Sequence, residues 1–163
     1  MSFKDSEDIA LANPEELFEI GLDSYYGRGE GIDYVKAAKY FRLSADGGYP
    51  DGQYYLGKCY EEGHGFERDP ELAVIYFRLA ADGGESYAQV DLGVAYLRGE
   101  VVERDYAKAA KYFQMAAAQG HPEGQYYLAT LYENGEGVEK DLEKAKEYYR
   151  LAAQLGVTKG RPR

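Results

Sequence analysis

The sequence predicts an all-α fold, a solenoid of four helix-turn-helix units of 36 residues each. Three observations lead there. The chain matches itself without gaps at an offset of 36, and residues 50–85 and 122–157 agree at 20 of 36 positions, including Gly-Gln-Tyr-Tyr-Leu at both 52–56 and 124–128. Apolar and small residues recur at helical spacing inside each unit, with no β-type alternation. Glycine and tyrosine are in excess, at 20 and 18 of 163 residues with no tryptophan. A motif that places both at fixed positions accounts for this, whereas disorder would deplete the aromatics.

The units run 14–49, 50–85, 86–121 and 122–157. The first helix of each carries an aliphatic column, Ile20, Leu56, Leu92 and Leu128, followed at once by Gly21, Gly57, Gly93 and Ala129. Four residues after the aliphatic column come Ser24, Tyr60, Tyr96 and Tyr132. This is one buried stripe, with a small residue where a neighbouring helix approaches closely. Gly27, Gly63, Gly99 and Gly135 end the first helix, because glycine takes the left-handed conformation that other residues resist.

Asp33, Asp69, Asp105 and Asp141 open the second helix as side-chain caps, and Pro70 sits at the favoured first-turn position. Ala37, Ala73, Ala109 and Ala145 follow, then the aromatic pairs Tyr40-Phe41, Tyr76-Phe77, Tyr112-Phe113 and Tyr148-Tyr149. Gly48, Gly84, Gly120 and Gly156 stop this helix. One pair cannot bury its own stripe, so the pairs must stack, and the ends of the stack need polar covers. The charged run Glu143, Lys144, Lys146, Glu147 and Arg150 marks the C-terminal cap. Residues 1–13 form an N-terminal extension in which a short helical turn over residues 6–12 sets Ile9 and Leu11 against repeat one. Residues 158–163 are expected to be a flexible tail.

These columns resemble the Sel-one-like repeat (SLR) family, a 36-residue relative of the tetratricopeptide repeat. Tyr-Leu-Gly-Lys-Cys-Tyr-Glu-Glu-Gly-His-Gly at 55–65 lies close to its pattern, and residues 14–157 follow it across four repeats. Ser24 in place of tyrosine, Val74 after Ala73, Val101 in place of the second glycine and Ala129 in place of the first are the departures. The resemblance implies a right-handed α-solenoid and a role in protein–protein interaction, as an adaptor or assembly module. In bacteria such modules often serve signalling or virulence, and in eukaryotes membrane-protein quality control. A cysteine-rich branch linked to penicillin binding carries a disulfide in each repeat; with Cys59 alone, that activity is not carried over.

Composition narrows the function further. A formal charge of −10 repels phosphates, which argues against nucleic acid and anionic membranes. No run approaches the roughly 18 apolar residues of a membrane span. The acidic N-terminus lacks the apolar core of a secretory leader, so a cytoplasmic location is expected. Gly63-His-Gly65 and Gly135-Glu-Gly137 are not followed by the Gly-Lys-Ser/Thr of a phosphate loop. His64 and His121 lack zinc-type spacing. Cys59, beside Tyr60 on a half-buried face, reads as a packed thiol rather than a nucleophile. Glu15-Glu16 and Glu61-Glu62 are neighbours whose side chains diverge on a helix and read as solvated charge. Neither an enzyme nor a cofactor or metal site is expected.

A partner-binding surface is expected on the first helices, which line the concave face of tetratricopeptide-like stacks. The stripe opposite their buried columns holds Glu15, Phe18, Leu22 and Tyr25, then Asp51, Tyr54, Lys58 and Glu61. It continues with Tyr87, Val90, Val94 and Leu97, and ends with Glu123, Tyr126, Thr130 and Glu133. The repeat pattern does not demand the aliphatic residues at 90, 94 and 97, and an exposed apolar strip marks contact sites. The alternative is that curvature buries these side chains against each other. Acids outnumber the single lysine on this stripe, which favours a protein or peptide partner basic at its edges and apolar at its centre. A structural spacer or assembly unit, or an engineered repeat scaffold, fits the same repeats.

Overall fold

The computed structural model describes residue 9 and residues 11–156. Eight helices and no strand occur among the described residues. They pair as helix-turn-helix repeats: α1 (Pro14–Tyr26) with α2 (Tyr34–Asp46), α3 (Pro50–Glu62) with α4 (Pro70–Asp82), α5 (Ser86–Arg98) with α6 (Tyr106–Ala118), and α7 (Pro122–Asn134) with α8 (Leu142–Gln154). The chain divides into two compact units, one ending at Glu85 and one beginning at Ser86. That division falls on the expected boundary between the second and third repeats. Of the expected capping turn, residues 6–8 and 10 lie outside the described residues, as does the expected tail at 158–163. Ile9 is half-buried, but Leu11 is 85% exposed and does not cover repeat one.

The helix boundaries follow from the capping residues. Asp33, Asp69, Asp105 and Asp141 each accept a hydrogen bond at 3.0 Å from the backbone N–H three residues on. This satisfies a donor that has no partner inside the helix. At α1 the exchange is reciprocal: Glu16 N–H donates to Asn13 Oδ1 at 2.9 Å, and Asn13 N–H to Glu16 Oε2 at 3.1 Å. The α1, α3 and α7 helices close on Gly27, Gly63 and Gly135, with φ between 67° and 73°.

Inside each repeat the small column lets an aromatic ring lie flat on the first helix. A Cβ added at Gly21 would stand 2.6 Å from the Phe41 ring, at Gly57 2.7 Å from Phe77, and at Gly93 2.6 Å from Phe113. Phe41 and Phe113 are fully buried in consequence. Repeat four carries Ala129 and Tyr149 at these places, and Ala129 is still fully buried. A second ring pair closes the outer side of repeats two to four. Tyr60 stacks on Tyr76, Tyr96 on Tyr112 and Tyr132 on Tyr148, with centroids 5.8–6.2 Å apart and planes within 3° of parallel.

Within the first unit α2 packs on α3, and within the second α6 packs on α7. The first of these contacts is detailed at several points. Arg42 of α2 hydrogen-bonds the Tyr60 hydroxyl and lies 4.9 Å above the Phe66 ring centre, and the Tyr34 ring stacks on His64 at 3.8 Å. Gly65 approaches so closely that a Cβ would sit 2.5 Å from the Tyr34 carbonyl oxygen. Leu56, Leu92 and Leu128 are fully buried, as their column predicts, whereas Ile20 in repeat one is only half-buried. In α8 only Ala145 and Ala152 are buried, consistent with its reading as a polar end. Among the described residues no helix is long and apolar enough to cross a membrane.

Candidate interaction face

The expected binding stripe divides into two sets. Phe18, Tyr54, Val90 and Tyr126 are 6, 9, 0 and 8% exposed, so they are core and not an open lining. The reason lies in the pairing within each repeat. Phe18 meets Phe41 at 5.8 Å, Tyr54 meets Phe77 at 5.6 Å and Tyr126 meets Tyr149 at 5.6 Å between ring centres. Helix-pair packing therefore does require this column. Leu22, Tyr25, Asp51, Lys58 and Glu61 are half-buried in the first unit, as are Val94, Leu97, Glu123, Thr130 and Glu133 in the second. Tyr87 is 51% exposed and Glu15 is exposed.

In the first unit these residues gather on one side of α1 and α3. Glu62 Oε2 accepts from the Tyr25 hydroxyl at 3.1 Å, a bond that joins repeat one to repeat two. Lys58 Nζ lies 2.9 Å from Glu61 Oε2 and 3.0 Å from Glu62 Oε1, and His64 Nδ1 is 3.1 Å from Glu62 Oε2. The Tyr26 and Tyr55 hydroxyls are 2.8 Å apart, and Tyr25, Tyr26 and Tyr55 meet edge to face with centroids 5.1–6.4 Å apart. Tyr26 is 53% exposed.

The stripe read from the sequence leaves out Tyr26, Tyr55 and Glu62. Its register is one residue off, because Tyr54 turns into its own repeat while Tyr55 packs on Phe41 of the preceding one at 5.1 Å. The doubled tyrosine at 54–55 and 126–127 was the available signal: Tyr127 likewise stacks on Phe113, at 4.9 Å.

In the second unit Tyr149 donates to Glu133 Oε2 at 2.6 Å and Thr130 to the Tyr127 carbonyl at 2.6 Å. The Tyr87 ring stands edge-on to His121 at 4.8 Å. These contacts fix side-chain directions on α5 and α7.

The electrostatics are those of a bound ion-pair network. Burial works against the Lys58 charge, but its hydrogen bonds to Glu61 and Glu62 outweigh this and hold the ammonium above its ordinary value. Burial likewise disfavours the Glu62 carboxylate, yet Lys58, by hydrogen bond and charge, together with Tyr25 and His64, holds it below the carboxylate range. Asp51 moves the other way, raised by burial and by Glu15 against a lowering hydrogen bond from Tyr49. Burial, with the Glu62 charge, pushes the Cys59 thiol up to about 12. Fully buried, it is protonated at neutral pH and packs as a small apolar group. No three His, Cys, Asp or Glu side chains among the described residues are grouped to hold a metal ion.

A lowered carboxylate pKa adds stability that is complete above the ordinary value of 4.5 and is lost as pH falls through the folded value. Glu62→Gln is therefore expected to lower stability at neutral pH by about 1 kcal/mol, a size set by the partial exposure of the pair. That difference should shrink as pH falls below the ordinary value of 4.5 and vanish once the folded carboxyl is protonated. Denaturant midpoints of both proteins across this range check the sign, since a gap that persists in acid would assign the effect to packing.

A family model described as Sel1 repeat matches residues 17–49, 50–85, 86–121 and 122–157. Over 56 residues the chain is 39% identical to the ERAD-associated E3 ubiquitin-protein ligase component HRD3B of Arabidopsis thaliana, a match covering 32% of this chain and 9% of that protein. Two solved structures are similar over nearly the whole chain. One is c5321, a protective antigen present in uropathogenic Escherichia coli strains displaying an SLR fold, at 34% identity and a TM-score of 0.85, covering 93% of this chain and 32% of that one. The other is a Sel1 repeat protein from Oxalobacter formigenes, at 31% identity and a TM-score of 0.84, covering 95% and 62%. The chain thus spans less than two thirds of each relative's own length.

Proposed function

The chain belongs to the Sel1 repeat family, and on that premise we propose that it is a binding module that holds a protein or peptide segment on the first-helix surface of its repeats. Sel1 repeat proteins generally mediate protein–protein interaction, and HRD3B is by name a component of a larger ligase assembly. The observation that carries the reading is the tyrosine and carboxylate strip on α1 and α3, where Tyr25 and Glu62 join two repeats and Tyr26 lies beside them 53% exposed, with Arg28 5.6 Å from its ring centre. Exposed aromatic faces rimmed by acids suit a segment with apolar and basic residues, since rings accept both alkyl groups and cations. Seven acids, Glu15, Glu16, Glu19, Asp23, Asp51, Glu61 and Glu62, lie on these two helices, whose one lysine, Lys58, is held by Glu61 and Glu62, and such a field speeds the approach of a basic partner.

Binding to an array of peptides that vary basic and apolar content tests this. Peptides rich in lysine or arginine with leucine or phenylalanine should bind, and acidic ones should not. Tyr26→Ser removes a half-exposed ring together with its contacts to Tyr25 and Tyr55, and is expected to weaken binding about thirtyfold while lowering the melting temperature by only about 2–4 °C. Glu61→Gln should slow association and flatten its salt dependence. Equal binding of acidic and basic peptides, or full affinity in Tyr26→Ser, would remove this strip from the binding surface.

A further inference from the structure

A guanidinium is held at the end of α1. The Arg28 Cζ lies over the Tyr26 ring, 5.6 Å from its centre, and Arg28 Nη1 is 3.7 Å from Asp23 Oδ1. Asp23 and Tyr26 are three residues apart on α1 and so share a side of the helix. The end of a helix also carries the partial negative charge of its unpaired carbonyls, and no basic residue stands in the last turn of α1. Ring, carboxylate and helix end thus converge on one cation. Cys59 and Glu62, Ala95 and Arg98, and Leu131 and Asn134 hold the two matching places in the other repeats, and none of these pairs joins an acid to an aromatic ring.

The hold is loose. Both distances lie near the outer limits for their kind, about 6 Å for a cation over a ring and about 4 Å for an ion pair. The Arg28 and Asp23 side chains are 60% and 46% exposed, and Tyr26 is exposed as well, so water reaches all three. The ring is better fixed than the arginine. Its hydroxyl lies 2.8 Å from that of Tyr55, and Tyr25 and Tyr55 both stand at 79° to it. Arg28 instead sits between Gly27 and Gly29, with φ of 72° and 94°, and a Cβ at Gly29 would meet nothing within 4 Å.

We propose that Arg28 occupies a subsite for an arginine of the bound segment, and that binding exchanges one guanidinium for the other. This subsite rests on the reading of α1 and α3 as the face that takes a basic segment, and it names the side chain and its seat. Arginine fits better than lysine. A planar, weakly hydrated guanidinium lies on a ring while it pairs with a carboxylate, whereas an ammonium is a strongly hydrated point charge. Arg28 is displaced at little cost, because it moves into water that it already faces.

Titration calorimetry with a blocked peptide of leucine and arginine, and with its leucine and lysine counterpart, tests the exchange. Arg28→Gln empties the subsite and is expected to bind the arginine peptide about three- to fivefold more tightly than the parent. The lysine peptide should gain less than about twofold. So should the arginine peptide on Lys36→Gln, which removes the same charge from an ion pair with Glu30. In a Tyr26→Ser background the gain from Arg28→Gln should disappear, because the seat is gone. Parent-like or weaker binding by Arg28→Gln, an equal gain for the lysine peptide or in Lys36→Gln, or a gain that persists without Tyr26 overturns the subsite, while peptide binding itself upholds the wider reading. If neither peptide binds the parent or Arg28→Gln, both fall.

Discussion

Gly137→Ala is expected to destabilise the second unit by about 2–5 kcal/mol, although it adds a single methyl group to a loop. Two effects combine. Gly137 has a φ of 71°, where a side chain costs about 1–2 kcal/mol. The added Cβ would also fall on the Tyr106 carbonyl of the preceding repeat, and such overpacking costs about 1–3 kcal/mol more. Repeat three supplies an internal control. Val101 holds the matching position at a φ of 67° with its side chain 53% exposed, so the left-handed backbone alone does not demand glycine. The neighbouring backbone does. A Gly137→Ala denaturation midpoint equal to the parent's would show that α6 and α7 can part at no cost.

Phe41→Ala should be the most damaging change in the first unit, at about 3–5 kcal/mol. The ring is fully buried and lies under Gly21, with Phe18, Tyr25 and Tyr55 around it at 5.1–5.9 Å. It thus belongs to its own repeat and to the next one. Truncation leaves a cavity that the short rigid helices cannot collapse to fill. Chemical denaturation checks the size, and a shift below about 0.5 kcal/mol, the scale of surface substitutions, would mean that the contact between α2 and α3 survives without it.

The four helix pairs, the aspartate caps and the buried leucine column were all legible in the sequence, because each is repeated at an offset of 36 and each has one local cause. Leu56, Leu92 and Leu128 needed only helical spacing to be recognised. The binding stripe was less legible, because a first helix packs on two partners at once. Tyr54 leans on its own second helix and Tyr55 on the preceding one. The buried arc is therefore wider than a single stripe, and Phe18, Val90 and Tyr126 fall inside it. One residue is about 100° of rotation on a helix, enough to exchange a core tyrosine for one on the candidate face. Tyr25 to Glu62 was hidden for a different reason: the bond spans 37 residues, and no spacing within one repeat reveals it.

The stacked tyrosine pairs also give the protein an optical voice. With no tryptophan in the chain, near-ultraviolet absorption and emission come from tyrosine without a stronger chromophore to mask it. Three pairs hold near-parallel rings about 6 Å apart, close enough for their electronic transitions to couple. Each pair spans the two helices of one repeat, so its coupled signal reports whether those helices are closed. Repeat one, with Ser24 opposite Tyr40, is silent in this respect. Replacing Tyr76, Tyr112 or Tyr148 singly with phenylalanine would assign the signal repeat by repeat, and unfolding could then be followed along the chain without attaching a dye.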